Sequence, residues 1–443
     1  MGLDSLLKVS YRRGNVVLVA GHPGSGKNMF GAQFLYRGAV ERGEAGVYVS
    51  FAEPREEFYS HMKALGLDFE HIEAEGRLRF MEFLTVSDER AVTPIADQVF
   101  DAAAELGAER LVIDPISVPV GLLSKAKARA FLHSSLINAA KELGLTTMLI
   151  ADLPRGAEAV GYGFEEFVAD VVIKLTLEEA KGLTRRVMTL YKVRDAPVPR
   201  VSYEFDIVGG RGIELFIPLE AGFEGKIGPT RVSTGVEVLD RLLGGGLFKG
   251  SATLLTGASG TGKTTLASIF AAQGVEEGGR VLYLSFEEPV EQLNALLASL
   301  GRDVESLKRG LRILSISPRL STPGALYFYV ERLVEEVSPN RLVVDSLTSL
   351  SRQYEEAEFL ELARSLVLLC KKKGITSLLT SREDVVRGEE APISTMVDNI
   401  IALWLDFEGE EVRRRVAVVK ERMSPHDQHK HTLIVEKGEV VIR

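Results

Sequence analysis

Gly257-Ala-Ser-Gly-Thr-Gly-Lys-Thr264 is the stretch that decides the fold, and Gly21-His-Pro-Gly-Ser-Gly-Lys-Asn28 is an altered copy of it. The former fits G-x-x-x-x-G-K-[ST] at every fixed position. In that pattern the glycines let backbone N–H groups curl around phosphates, the lysine neutralises them and the hydroxyl suits Mg²⁺. The apolar run Ala252-Thr-Leu-Leu-Thr256 precedes the loop and Thr265-Leu-Ala-Ser-Ile-Phe-Ala-Ala-Gln273 follows it. These read as a strand and a helix, which puts the loop at a helix N-terminus, where the dipole favours an anion. Gly257, Ala258, Ser259, Gly260, Thr261, Gly262, Lys263, Thr264 and Thr265 are the expected phosphate site. In the copy, Gly21, Gly24, Ser25, Gly26 and Lys27 keep the cradle, and Asn28 stands where the hydroxyl belongs. An amide oxygen still approaches a hard cation, so binding with impaired turnover is expected there. A fold relic that no longer binds nucleotide is the alternative.

The repetition extends well past the loops. Tyr48-Val-Ser-Phe-Ala-Glu-Pro54 matches Tyr283-Leu-Ser-Phe-Glu-Glu-Pro289, and Glu109-Arg-Leu-Val-Ile-Asp114 matches Asn340-Arg-Leu-Val-Val-Asp345. Tyr191-Lys-Val-Arg194 matches Val419-Lys-Glu-Arg422. The order is the same in both halves, and the offset drifts only from 236 residues at Lys27/Lys263 to 228 at Arg194/Arg422. The chain is therefore two copies of one domain, expected over 1–222 and 223–443 and joined through the Gly-rich stretch between Gly209 and Pro229. In each copy apolar strand-like runs alternate with helical segments. That alternation predicts an α/β fold, a mainly parallel twisted sheet flanked by helices.

With 443 residues, 45% hydrophobic and 26% charged, the chain has the make-up of soluble globular domains. A formal net charge of −9 argues against an electrostatic footprint for nucleic acid or anionic membranes. No apolar run reaches the roughly 18–20 residues that span a bilayer, and the N-terminus lacks a signal-peptide pattern, so a cytoplasmic location is expected. The single cysteine, Cys370 in Leu366-Val-Leu-Leu-Cys-Lys371, reads as packing and not as a reactive thiol.

Within each copy the chemistry has an order. Asp345 closes the strand-like Leu342-Val-Val and is expected at the carboxyl edge of the sheet, where it would share Mg²⁺ with Thr264. Asp114 is its equivalent. Glu287 and Glu288 follow Val281-Leu-Tyr-Leu-Ser-Phe286 and are read, with Lys263, as the catalytic set, polarising an attacking water or hydroxyl. Taken alone, such a pair is a solvated turn. The first copy has Ala52-Glu53 instead. Asn28 and Ala52 are two losses in one copy, which predicts that it binds and does not turn over.

Arg231-Val-Ser-Thr-Gly-Val-Glu-Val-Leu-Asp240, Gly244-Gly-Gly-Leu-Phe-Lys-Gly250, Ser285-Phe-Glu-Glu-Pro289 and Asp345-Ser346-Leu347 together resemble the KaiC family, as does Gly163-Phe-Glu-Glu-Phe-Val-Ala-Asp170 in the first copy. These are tandem RecA-fold ATPases that include the cyanobacterial clock protein, and the resemblance covers nearly the whole chain. It implies two tandem RecA-like P-loop NTPase domains, ATP and Mg²⁺ as cofactors, and a hexameric ring, or two stacked rings, with ATP at subunit interfaces. It also implies that a Lys-x-Arg pair reaches the neighbouring subunit's phosphates: Lys420 and Arg422, and Lys192 and Arg194 in the first copy. By spacing alone these are charged strand edges. The family usually continues with a glycine, where this chain has Met423 and Asp195, with Pro197 and Pro199 beyond the latter.

Ile393-Ser394-Thr395 resembles the Ser–Thr pair that the clock protein phosphorylates on itself. Ser394 and Thr395 are thus candidate autophosphorylation sites, with structural hydroxyls as the alternative. Glu166 and Phe167 occupy the matching places in the first copy. The chain ends shortly after Glu436-Lys-Gly-Glu, with no counterpart of the clock protein's partner-binding tail. A relative outside the clock, with an unknown protein partner, is therefore expected.

Two other classes share the fold: a DNA recombinase or helicase-like motor, and a slow nucleotide-gated signalling scaffold. The loops expected to line a ring channel are Asp152-Leu-Pro-Arg-Gly-Ala-Glu-Ala and Ser381-Arg-Glu-Asp-Val-Val-Arg-Gly-Glu-Glu390. They are mixed or acidic, which argues against nucleic acid. His426, His429 and His431 fit no closed zinc pattern and are expected to face solvent or an interface.

Overall fold

The chain divides into two compact units, Met1–Ile217 and Pro218–Arg443. The structure, a computed structural model, describes residues 13–153, 165–180, 182–194, 202–217, 227–383, 393–408, 411–436 and 439–443. Most of both channel-loop stretches, Gly163, Asp195, Pro197, Pro199 and part of the Gly-rich join lie outside the described residues.

The first unit is built on β1 (Val16–Gly21), β2 (Gly46–Ser50), β3 (Leu78–Glu82), β4 (Arg110–Asp114), β5 (Thr146–Asp152), β6 (Val171–Ala180), β7 (Leu183–Val193), β8 (Ser202–Val208) and β9 (Gly212–Leu215). They form one sheet in the order β3-β2-β4-β5-β1-β6-β7-β8-β9. Pairing is parallel from β3 to β6 and antiparallel from β6 to β9. The second unit begins with a small ribbon, β10 (Arg231–Val232) on β11 (Leu247–Phe248). Its sheet uses β12 (Ala252–Gly257), β13 (Val281–Ser285), β14 (Leu311–Ser315), β15 (Arg341–Asp345), β16 (Thr376–Ser381), β17 (Asn399–Glu408), β18 (Glu411–Glu421), β19 (His431–Glu436) and β20 (Glu439–Ile442). The order, β14-β13-β15-β16-β12-β17-β18-β19-β20, repeats that of the first. The predicted tandem α/β architecture is thus present in both units.

Burial explains why the patterns read as they do. β1 and β12 are buried at every position, because helices cover both faces of a parallel sheet, and their runs are continuously apolar. β18 lies in the antiparallel part and opens with four exposed residues. Cys370 is buried in the helix Glu356–Lys373, and burial pushes its thiol up to about 12, as a packing role requires. Helices Lys27–Arg37 and Lys263–Glu276 start at Gly26 and Gly262, whose φ of 96° and 103° only glycine adopts without strain.

One further device ties each loop helix to its sheet. Arg341 opens β15 and is 1% exposed. Its Nη1 donates to the carbonyls of Ser233 (2.8 Å) and Phe270 (3.0 Å), its plane lies 4.7 Å from the Phe270 ring centre, and Glu277 takes the charge. Arg110 repeats this with the Phe34 carbonyl (2.6 Å), the Phe34 ring (4.5 Å) and Glu44. A guanidinium enters this space because Gly274 and Gly38 leave it open. A Cβ on Gly274 would stand 2.5 Å from Arg341 Cδ. Gly274→Ala should therefore destabilise the second unit by about 1–3 kcal/mol through overpacking, despite alanine's better helix propensity. Thermal melts should show the loss, and an unchanged or raised Tm would refute the packing argument.

Candidate functional site

Parallel pairing brings the carboxyl ends of β12, β13, β15 and β16 to one edge, and the predicted residues meet there. Ser285 is in register with Asp345, and Thr256 with Ser381. Lys263, Thr264, Thr265, Glu287, Glu288 and Asp345 line an open cleft of about 320 Å³, with Ser259, Gly260 and Gly262 as its floor. Lys263 Nζ donates to the carbonyls of Gly257 (2.6 Å) and Ala258 (2.9 Å). Burial pulls its ammonium below the ordinary lysine value, with Asp345 and Glu287 acting the other way. Thr261 turns inward and donates to the Ala258 carbonyl at 2.8 Å.

Asp345 is 4% exposed and is oriented by hydroxyls of Tyr283 and Thr380, which donate one to each carboxylate oxygen. Its peptide bond to Ser346 is cis. Glu287 Oε1 accepts from Ser346 Oγ (2.6 Å) and Ser349 Oγ (2.9 Å). Burial would raise the Glu287 carboxyl, but these two donors and the Lys263 charge outweigh it and hold it below the ordinary glutamate value. The backbone of Glu288 is fixed by a two-way bond with Ser285 Oγ. Arg382 and Arg414 add positive charge to the cleft, and Arg414 Nε donates to the Gly260 carbonyl at 3.1 Å. Hard oxygens at Thr264 and Asp345, lining one cleft beside the glycine loop, fit Mg²⁺. Trp404, the single tryptophan of the chain, follows Leu403, which is in register with Gly257.

The first unit keeps the frame and changes the groups. Lys27 Nζ donates to the carbonyls of Gly21 (2.8 Å) and His22 (3.2 Å). Ser50 Oγ holds Glu53 as Ser285 holds Glu288, and His61 Nδ1 lies 2.6 Å from Glu53 Oε1. Asp114 receives Tyr48, but Ile150 replaces the second donor, Thr380. Burial, with Asp152 and Glu53 nearby, pushes the Asp114 carboxyl up to about 6 against the pull of Tyr48 and Lys27. Ser346 and Ser349 become Pro115 and Val118, so the hydroxyls that hold Glu287 are lost together with Glu287 itself, which is Ala52 here. The place of Arg382 is taken by Asp152, in register with Gly21 and 3.2 Å from Lys27 Nζ. Ser25 is buried with no partner for its hydroxyl, and Gly24, Gly26 and Asn28 follow the loop of the second unit. The serines and the Arg382/Asp152 exchange escaped the motif reading. Extending the internal alignment past the aspartates would have exposed them.

Six predicted residues lie elsewhere. Lys420 is in register with Ile400, and Ile400 with Leu254, three residues before Gly257. At about 3.3 Å per residue, this places Lys420 some 10 Å down the sheet from the loop. Its Nζ donates to the carbonyls of Ser394 (2.7 Å) and Val397 (2.8 Å), and Arg422 Nη2 to that of Thr395 (2.7 Å). Lys192 likewise holds the carbonyls of Glu166 (2.9 Å) and Ala169 (2.7 Å), and Arg194 pairs with Asp170 at 3.1 Å. Ser394 and Thr395 sit in a turn ahead of β17, half-buried and exposed respectively. Both Lys-x-Arg pairs, and both hydroxyls, are thus at the far edge of their own sheet from their own loop. Asp427 is clasped by His431 Nε2 (2.9 Å) and His429 Nδ1 (3.3 Å), and among the described residues no group of three ligands is arranged for a metal. No described helix is long and apolar enough to cross a membrane.

Comparison with known proteins places the chain in a family. A sequence model of the family described as "ATPase: KaiC" matches residues 1–220 and 232–443. The chain is 33% identical over 444 residues to the circadian clock protein KaiC3 of Synechocystis sp., covering 96% of this chain and 87% of that one. It is 30% identical over 458 residues to the circadian clock oscillator protein KaiC of Thermostichus vulcanus, covering 99% and 87%. The corresponding protein of Synechococcus elongatus is 29% identical over 458 residues, at the same coverage. A doubled fold, a complete phosphate loop and a match running through both halves lead to one assignment: the chain is a member of the KaiC family of ATPases, with two tandem domains.

Proposed function

We propose that this protein is an ATP-driven ring ATPase of the cytoplasm, with domains 1–222 and 223–443, whose second domain turns ATP over and whose first binds nucleotide chiefly for assembly. The observation that carries this reading is the cleft that gathers Lys263, Thr264, Glu287, Glu288 and Asp345 at one sheet edge. ATP phosphates would lie on the N–H groups of Gly257 to Thr265, and Lys263 would turn from its loop carbonyls to their oxygens. Mg²⁺, held by Thr264 and Asp345, would neutralise charge on those oxygens. Glu287, kept ionised by Ser346 and Ser349, accepts a hydrogen bond from the attacking water and orients it in line. Glu288 is a further carboxylate lining the cleft.

The placement of Lys420 and Arg422 supports a role in trans, since their own loop is out of reach and a neighbour in a ring would meet that edge. An arginine set against developing phosphate charge stabilises the transition state. Ser394 and Thr395 lie at the same edge, so autophosphorylation would use the neighbour's ATP.

Purified protein given γ-labelled ATP with Mg²⁺ should release labelled phosphate. Glu287→Gln should cut the rate by about 10²–10³-fold while ATP still binds. An unchanged rate would move the role to Glu288, and label retained on Ser394 or Thr395 would establish the kinase. Because the serine hydroxyls lower the Glu287 carboxyl against burial, Ser349→Ala should move the acid limb of kcat/KM to higher pH; an unmoved limb would separate Glu287 from the titrating group. Lys27→Ala should leave second-domain turnover intact and reduce the mass seen by light scattering, whereas an undiminished assembly would refute the role given to the first loop.

A further inference from the structure

The two loops sit in matching frames, so each surrounding group has a counterpart. The cradle itself is preserved: φ is 77° and 96° at Gly24 and Gly26, against 80° and 103° at Gly260 and Gly262. Two hydroxyls that suit a hard cation are not: Thr264 is Asn28 and Ser346 is Pro115, while Asp114 keeps the place of Asp345 and, like it, accepts from a tyrosine. At the next strand end Arg382 is Asp152, whose carboxylate lies 3.2 Å from Lys27 Nζ. One positive charge has gone and one negative charge has arrived, a net change of two. Among the described residues, the cation beside the first loop is Lys27, already facing an anion. Arg186, counterpart of Arg414, pairs with Asp206 at 3.1 Å. The residues of the first unit therefore do not fit Mg²⁺ as those of the second do.

We propose that the first loop binds a nucleoside diphosphate without magnesium, as a ligand held and not turned over. The proposal rests on the reading above that this loop takes a nucleotide at all. A metal-free triphosphate brings more negative charge than Lys27 beside Asp152 can balance, whereas a diphosphate leaves the backbone N–H groups and one ammonium as sufficient partners. Discrimination would come from Asp152, standing where the outer phosphate would otherwise meet a cation.

The test uses the full chain carrying Lys263→Ala, so that the second loop is disabled, with Lys27→Ala/Lys263→Ala as the blank. Binding of the fluorescent probes mant-ADP and mant-ATP is titrated in EDTA and in Mg²⁺. The mant-ADP Kd should change by less than about twofold between the two conditions, and in EDTA mant-ATP should bind about tenfold more weakly than mant-ADP. A tenfold or greater loss of mant-ADP affinity in EDTA overturns the proposal and leaves a metal-dependent nucleotide site. Saturable binding absent in both conditions overturns the nucleotide reading of the first loop as well. In the same background, Asn28→Thr/Asp152→Arg should make mant-ATP binding magnesium-dependent and at least about tenfold tighter. No gain in a variant with an unchanged melting profile would show that these two residues do not set the preference.

Discussion

Parallel register is the constraint on which everything else depends. Because β12, β13, β15 and β16 run in the same direction, their carboxyl ends share one edge, and side chains far apart in sequence are delivered to one place. Thr264 and Asp345 are brought together this way, and so are Glu287 and the serines after β15 that hold it. The same register fixes what cannot happen within one unit. β18 returns antiparallel to β17, so its carboxyl end carries Lys420 and Arg422 to the opposite edge. The chemistry at one edge and the cations at the other are two consequences of one pairing scheme.

The buried guanidiniums show how that frame is held in both units. Each stacks on a phenylalanine of the loop helix and bonds the carbonyl of that same residue, in a space only glycine leaves open. A charge this deep is tolerated because its donors and its carboxylate partner are in place. The device anchors the helix at its far end, away from the loop. The loop groups were therefore free to diverge while the sheet order and the Tyr–Asp contact beneath them stayed the same.

Much of this was legible in the sequence. The apolar runs ending in Asp114 and Asp345, the glycine loops and the near-constant offset between halves specify two α/β units before any coordinate is known. The cleft residues were legible as well, because short motifs after strands carry them. What stayed hidden were residues whose meaning is relational. Ser346 and Ser349 look like ordinary polar positions until the turn brings them to Glu287, and Asp152 looks like a loop acid until β5 places it beside Lys27. That Lys420 and Arg422 cannot reach their own loop is a statement about distance along a sheet, and no local pattern encodes it.

Trp404 stands one residue past the partner of Gly257 on β17, with Lys430 Nζ 5.8 Å from its ring centre, and the chain has no other tryptophan. Duplication supplied two glycine loops but only one indole. The protein thus carries a native optical reporter on the second unit alone, and tryptophan emission reads the surroundings of that unit's sheet without any label.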